Sequence, residues 1–473
     1  MARKKVRKAG GRAQAQRQAV QRQQAKRQQM QRQQMSGKQV ERQQIERERA
    51  KRQQEGQRRE QLLMQQRQEM QERQEMLRRQ QMQMRGEPEQ EEERRKKKQQ
   101  SEYFFDYSLL FIVLFLLGFG LIMIYSSSAY NAQVSGQPST YYMIRQGGIA
   151  VVGFIMMLII SKIDYHFFAK FAVPAVVVSY ICEFLVTFTP LGIAVNGKKR
   201  WLGTRSLRFQ PAELVKIVMI LFLAVVITRL GKRINEWRVW GMLAVLLGPL
   251  ALFVMLNNLS SGIIICGIAF VMMFVACKRK WPFILVVVGL IVVIVFAPPV
   301  AIAMEKAGIL HFYQLSRILV WKNPEAYPKS GGYQVLQGLY AIGSGGLLGK
   351  GLGQSIQKLS FLPEPQNDMI FAVICEELGL FGAIAVIFMF LFMLYRFLVI
   401  AGNAPDLFGS LIVVGVMAHI AIQVILNIAV VTNTIPNTGI TLPFISYGGT
   451  SVLFLMVEMG MVLSVSNQIK LEK

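Results

Sequence analysis

Four cysteines in 473 residues, none in a C-x-x-C pair, leave no disulfide framework and no thiolate metal site. Cys182, Cys266, Cys277 and Cys375 lie in or at the end of apolar runs, where a thiol acts as a small buried hydrophobe. The three histidines, His166, His311 and His419, are far apart with no H-x-x-x-H spacing, which points to packing or interfacial roles rather than zinc. There is no P-loop, no G-x-G-x-x-G opening a helix and no G-x-S-x-G, so nucleotide hydrolysis and dinucleotide redox chemistry are unsupported. Acidic residues are scarce, 28 against 54 Lys and Arg, for a formal charge of +26. Met1–Lys8 is charged and no apolar h-region follows, so a cleaved signal peptide is not expected. The first apolar run, Tyr107–Tyr125, is then expected to stay as a membrane span.

What is present divides sharply near residue 100. Residues 1–100 hold 29 Lys and Arg, 13 Asp and Glu, 29 Gln and no aromatic residue. All 48 aromatics and nearly all aliphatics fall in the remainder, and mean hydropathy is +0.32. The first part cannot bury a core; the second is too apolar to dissolve. That excludes a secreted disulfide scaffold, a simple nucleic-acid-binding domain and an ordinary cytosolic enzyme. It leaves an integral membrane protein, residues 104–473, behind a low-complexity basic tail, residues 1–103. The tail is rich in helix formers, but its apolar residues are too sparse for a coiled coil. It reads as a cytoplasmic extension, disordered or partly helical, suited to anionic lipid headgroups at roughly 1 kcal/mol per basic residue near the surface. Without aromatic stacking platforms no nucleic-acid partner is expected.

A span needs about 20 apolar residues. From Tyr107 onward this yields ten: 107–127, 144–162, 166–189, 211–230, 239–256, 261–277, 281–303, 368–397, 408–432 and 444–466. The fold class is therefore all-α and polytopic, with a large extracytoplasmic loop between the seventh and eighth spans. With a cytoplasmic tail, every inner loop carries a basic residue at the membrane edge: Lys162; Arg229, Lys232, Arg233 and Arg238; Lys278, Arg279 and Lys280; Arg396. Ten spans return the C-terminus to the same side.

Two outer loops break that rule. Loop 190–210 carries Lys198, Lys199, Arg200, Arg205 and Arg208; loop 304–367 carries Lys306, Arg317, Lys322, Lys329, Lys350 and Lys358. Cations kept where orientation signals disfavour them point to an anionic ligand, with scattered solvated charge as the bland alternative. The longer loop is glycine-rich over 343–353, allowing close approach to a ligand or a hinge. It ends in Pro363-Glu364-Pro365-Gln366-Asn367-Asp368, which places Asp368 at the cap or first turn of the eighth span.

Ionisable residues inside spans are costly and hence functional candidates. Glu213 and Lys216 sit at i, i+3 and can pair. Glu376 and Glu377 lie roughly 12–13 Å deeper than Asp368 along the same helix, and an ion pair with Lys216 is one reading of them. Glu183 and Glu458 are further intramembrane acids. Asp368 differs in sitting at the water boundary, beneath the glycine-rich loop, where a carboxylate reaches a headgroup-level substrate and still exchanges protons.

Four segments resemble a known family. They are Met123-Ile124-Tyr125-Ser126-Ser127; Asn196-Gly197-Lys198-Lys199-Arg200-Trp201 leading to Gln210-Pro211-Ala212-Glu213-Leu214-Val215-Lys216; Gly332-Tyr333-Gln334 through Leu362-Pro363-Glu364 to Asp368-Met369-Ile370-Phe371 and Glu376-Glu377-Leu378-Gly379; and Thr441-Leu442-Pro443-Phe444-Ile445-Ser446-Tyr447-Gly448-Gly449. In this order, across about residues 105–468, they resemble the SEDS (shape, elongation, division and sporulation) proteins FtsW and RodA, and FtsW more than RodA.

The resemblance implies ten transmembrane helices and peptidoglycan glycosyltransferase activity on lipid II at the outer face of a bacterial plasma membrane, at the division septum. It implies a class B penicillin-binding protein and other divisome proteins as partners. Asp368 matches the family's essential carboxylate, here expected to act as general base. Arg200 and Lys216, with Lys198, Lys199, Gln210 and Ser446, are the expected substrate-binding set. Glu213, Glu376 and Glu377 are expected to be structural or coupling residues. A divalent cation, Mg or Mn, at the pyrophosphate is the one cofactor considered. Three departures stand out: Asn367 and Met369 flank the Asp where Thr and Phe are usual, and Asn257-Asn258-Leu259-Ser260-Ser261-Gly262 replaces Pro-Asp-x-Gly. Gly338 also replaces a usual Ser. A lipid II flippase and a non-catalytic divisome scaffold are the competing readings.

Overall fold

In a computed structural model the chain divides into two units, Met1–Gln100 and Ser101–Lys473. The structure describes residues 64, 66–79, 105–195, 198–203, 208–306 and 313–470. In the first unit, residues 66–79 form an exposed helix. The expectation of a disordered or partly helical tail otherwise concerns residues outside those described.

The second unit is a helical bundle. Its apolar helices are α1 (Tyr107–Val134), α2 (Tyr141–Ser161), α3 (Ala172–Phe188), α4 (Pro211–Leu230), α5 (Trp237–Asn257), α6 (Leu259–Ala276) and α7 (Trp281–Lys306). After two short amphipathic helices, α8 (Tyr313–Lys322) and α9 (Gly332–Gly345), come α10 (Ile370–Asn403), α11 (Leu407–Val431) and α12 (Gly449–Ser466). Among the described residues nine helices are long and apolar enough to cross a membrane; α3, at 17 residues, is a shorter tenth. The protein is a multi-pass membrane protein. The exposed face says so: from Ile284 to Phe296 along α7 almost every side chain is apolar and uncovered. At roughly 1.5–3 kcal/mol per large apolar side chain, only lipid makes that surface stable.

α4 and α11 are apolar on nearly every face and so lie inside the bundle, packed against each other and against α6. α2 runs along α12, where Gly153 faces Met456 and Gly460 faces Ile160, small residues letting the helices close up. At the end away from the long loops, Asp106 caps α1 by accepting from Leu109 N (2.9 Å) and takes Arg396 Nη2 of α10 at 2.7 Å. Its own N–H donates to Ser466 Oγ of α12 at 3.1 Å.

The helical, polytopic expectation holds, and three features add to it or shift its span boundaries. First, 190–210 contains a small antiparallel sheet, β1 (Gly192–Val195), β2 (Lys198–Gly203) and β3 (Arg208–Phe209). Val195 pairs Lys198, and the two residues between are Asn196-Gly197, the pair that favours two-residue hairpin turns. Second, the eighth span begins at Ile370 and the last at Gly449, because the prolines and glycines before them hold extended turns.

Third, α10 is broken at Gly379, whose φ of 67° and ψ of −164° suit only glycine. The glycine-rich segment fills the break. Glu376 O and Glu377 O accept from the N–H groups of Lys350 (3.0 Å) and Gly351 (2.9 Å), while Leu380 and Phe381 donate to Gly346 O (3.0 Å) and Leu347 O (3.2 Å). Backbone polar groups freed inside a membrane must find partners, and here another backbone supplies them. Gly349 has φ +79°, and a Cβ there would lie 2.2 Å from Glu377 O.

Candidate active site

At the end bearing the hairpin and the long loop, the helices part around a cavity of about 1120 Å³. Its wall combines the starts of α2, α4, α6 and α12, the end of β2, and the segments 364–368 and 437–441. Among the described residues five cations line it, Arg145, Arg200, Arg208, Lys216 and Arg317, against Glu213, Glu364 and Asp368. The cavity therefore favours an anion.

Asp368 lies two residues before α10, whose N-cap is Met369, so its side chain does not cap the helix as the sequence suggested. The backbone around it is fixed: Asn427 Nδ2 of α11 donates to Asp368 O (2.9 Å) and to Ile440 O (2.7 Å). The carboxylate is loosely held. Gln334 Nε2 of α9 stands 3.5 and 3.4 Å from its two oxygens, and Gln334 Oε1 in turn accepts from Asn437 (3.1 Å). Burial, aided by the negative charge of Glu364, pushes the Asp368 carboxyl up to about 7; Gln334 and Arg317 oppose the rise. A carboxylate whose pKa lies near neutrality can take and release a proton at working pH. Glu364 sits in the left-handed region at φ 54°, a strained turn beside the site.

Arg200 is anchored by its Nε donating to Asn257 O at the end of α5 (3.1 Å), and Gln210 precedes α4 in the wall. Lys216 pairs with Glu213 at 2.8 Å and meets Gln423 Oε1 of α11 at 3.4 Å. Ser451 Oγ donates to Glu213 (3.2 Å), fastening α12 to α4 at the cavity edge.

Of the residues expected from sequence, the structure brings Asp368, Arg200, Lys216, Gln210 and Glu213 together around the cavity. Lys199 does not line it; its Nζ donates back to Thr189 O at 3.0 Å. The Lys198 side chain lies outside the described residues. Ser446 is buried behind the wall, its Oγ accepting from Leu442 N (2.8 Å), so it shapes the turn rather than facing the cavity.

Glu376 and Glu377 are not partners of Lys216. Glu376 accepts from Lys350 Nζ (2.7 Å), Ser355 Oγ (2.5 Å) and Ile356 N (3.1 Å). Glu377 accepts from Lys358 Nζ (2.7 Å), Ser126 Oγ (2.7 Å) and Gly353 N (3.0 Å). The glycine-rich loop thus lies on these two acids and not over Asp368. Lys350 and Lys358, offered by their position as ligand cations, are spent on them.

Sequence reasoning missed Gln334 and Arg145 as wall residues, whereas Arg317, offered as one of the outer-loop cations, does line the cavity. Gln334 stood within a quoted motif without a role, and Arg145 was a lone cation at the mouth of a span. Among the described residues no cluster of three or more His, Cys, Asp or Glu forms a ready metal site.

The sequence model of a cell cycle protein family, that of FtsW, RodA and SpoVE, matches residues 107–471. The chain is 39% identical over 363 residues to Stage V sporulation protein E of Bacillus subtilis, covering 76% of this chain and 96% of that protein. It is 35% identical to the "Probable peptidoglycan glycosyltransferase FtsW" of Trichlorobacter lovleyi, covering 78% and 94%. Among solved structures, it superposes with a TM-score of 0.63 and 26% identity on a chain of a peptidoglycan synthase complex studied for the coordination of polymerization and crosslinking, covering 78% and 99%. Rod shape determining protein RodA of Thermus thermophilus shares the fold at TM-score 0.57 and 22% identity, covering 78% and 98%.

Proposed function

Because the chain belongs to the FtsW, RodA and SpoVE family of cell cycle proteins, we propose that it is a peptidoglycan glycosyltransferase that polymerises lipid II into β-1,4 glycan strands. The observation that carries this reading is a buried, loosely held carboxylate, Asp368, on the wall of a cavity lined by cations. Lipid II is a disaccharide-peptide on undecaprenyl pyrophosphate. A cationic cavity at one end of a membrane bundle accommodates its sugars and diphosphate at headgroup depth while the lipid stays among helices.

In the reaction, Asp368 removes the proton of the acceptor 4-hydroxyl as that oxygen attacks the donor's anomeric carbon. The C1–O bond to the diphosphate breaks, and undecaprenyl pyrophosphate leaves with the bonding electrons. One base and direct displacement invert an α-linked donor to a β-linked product. Arg200 and Lys216, with Arg145, Arg208 and Arg317 around them, stabilise the charge that grows on the leaving diphosphate. Carboxylates on this wall fit a divalent cation only as one or two ligands beside phosphate oxygens and water, the usual pattern for magnesium. Glu364 would hold it, leaving Asp368 free to act as base, and it would neutralise leaving-group charge; no step above depends on it.

The basic edges of loops at the opposite end orient that end, and both termini, toward the cytoplasm of a bacterial plasma membrane. The cavity then opens outward, and the division septum is its site of action. A class B penicillin-binding protein that crosslinks the strands is the proposed partner, with other divisome proteins and, at the tail, anionic headgroups.

Polymerisation of purified lipid II by the protein, with and without that partner, tests the proposal. Wild type should form glycan polymer and Asp368→Asn should not. Flipping of labelled lipid II without polymer would favour a transporter. Normal cell growth with a folded, partner-bound Asp368→Asn would favour a scaffold.

A further inference from the structure

Two ionisable side chains in the middle of the bundle have no part in the chemistry above. His419 of α11 is 1% exposed and Glu458 of α12 is 0% exposed. His419 Nδ1 lies 2.7 and 3.0 Å from the two Glu458 oxygens, and its Nε2 lies 2.9 Å from Gln423 Oε1. Buried ionisable groups at this depth are expensive unless they serve a purpose.

The proton positions follow from their neighbours. Gln423 stands between Lys216 Nζ, which can only donate, and Thr441 O, which can only accept. Its amide nitrogen therefore donates to Thr441 O (3.0 Å), and its Oε1 faces both Lys216 and His419. His419 Nε2 must then carry a proton and donate to that oxygen. A second proton lies between Nδ1 and Glu458, so the pair is neutral as a whole while its Nε2–H is compulsory. Lys216, Gln423 and Thr441 line the cavity; His419 and Glu458 stand behind them.

We infer that His419 and Glu458 are positioning residues that act through Gln423 on Lys216. They hold Gln423 Oε1 toward the Lys216 ammonium. With Glu213 on its other side, Lys216 is fixed with its remaining N–H toward the cavity and the substrate's diphosphate. This rests on the reading of Lys216 as a diphosphate contact. Glu458 sets the tautomer and orientation of His419, as a carboxylate behind an imidazole does in many sites.

The test uses the full-length protein and two readouts, the KM and kcat for lipid II polymerisation and the Kd for undecaprenyl pyrophosphate. Glu458→Gln keeps the chain intact, because its amide N–H donates to Nδ1 and leaves Nε2–H in place; KM and Kd should stay at wild-type values. His419→Phe with Glu458→Leu removes both groups and strands no charge. The folded double variant should show KM and Kd raised about tenfold and kcat lowered with them, because the cation that binds the diphosphate also meets the charge that grows on it. In a Lys216→Met background the same pair of changes should add nothing. Unchanged KM and Kd in a double variant of wild-type thermal midpoint would overturn the inference, as would an equal increase in the Lys216→Met background. If the double variant does not fold, Gln423→Leu interrupts the chain at its middle and must give the same rise in Kd. Wild type that makes no polymer would sink the functional reading alone, since the diphosphate Kd still decides this one.

Discussion

Asp368 and the pair Glu376–Glu377 are close in sequence, yet they live in opposite circumstances. Among the described residues, the Asp368 carboxylate has one side-chain donor, at 3.4–3.5 Å. Glu376 and Glu377 are each wrapped by a lysine, a serine hydroxyl and backbone N–H groups at 2.5–3.1 Å. A saturated carboxylate has no capacity left for a substrate and serves to hold a loop. An under-coordinated one, poised near neutrality, is free to work. Burial alone does not separate the two cases; donor count does.

The contrast breaks most visibly at Asp368. Asp368→Asn should lower lipid II polymerisation by about 10²–10⁴-fold in a gel assay without lowering the thermal midpoint. A large loss of stability would mean that the carboxylate is architectural after all. The mirror change is Lys358→Met, which strands the buried Glu377 and should cost about 3–5 kcal/mol in thermal unfolding. Adding Glu377→Leu should recover much of it. Smaller again, Gly349→Ala meets both a positive φ and the Glu377 carbonyl, and about 1–3 kcal/mol of strain should appear as a lower midpoint.

The finest test is titration. Burial raises the Asp368 carboxyl to about 7, so its base form is lost as pH falls through that value. kcat/KM should therefore level off above pH 7 and drop roughly tenfold per unit below it. Gln334→Leu removes a group that favours the ionised form and should move this limb to higher pH. Asp368→Asn should have no such limb.

Much of the bundle was legible because apolar runs of span length and basic loop edges are local signals. So were Asp368, Arg200, Lys216 and Gln210, each inside a contiguous motif that ends up in the cavity wall. What could not be read depends on contacts between distant residues. Nothing near Glu376 or Glu377 in sequence announces Lys350 and Lys358, and Lys216 was the nearer guess on charge alone. His419 and Glu458, 39 positions apart, meet only because α11 and α12 pack. The Asn196-Gly197 pair between β1 and β2 is a local sequence signal of another kind, one of turn chemistry and not of hydropathy.

The break at Gly379 has a mechanical consequence. It splits one long rod into two, and the nine-residue stub that carries Asp368 ahead of its first turn is moored at its base by Lys350 and Lys358 rather than by the shaft beyond. Bending or tilting of that shaft, by bilayer thickness or a neighbouring protein, is absorbed at the joint. The Asp368 carboxylate, the proposed base, is thereby decoupled from the shaft beyond Gly379.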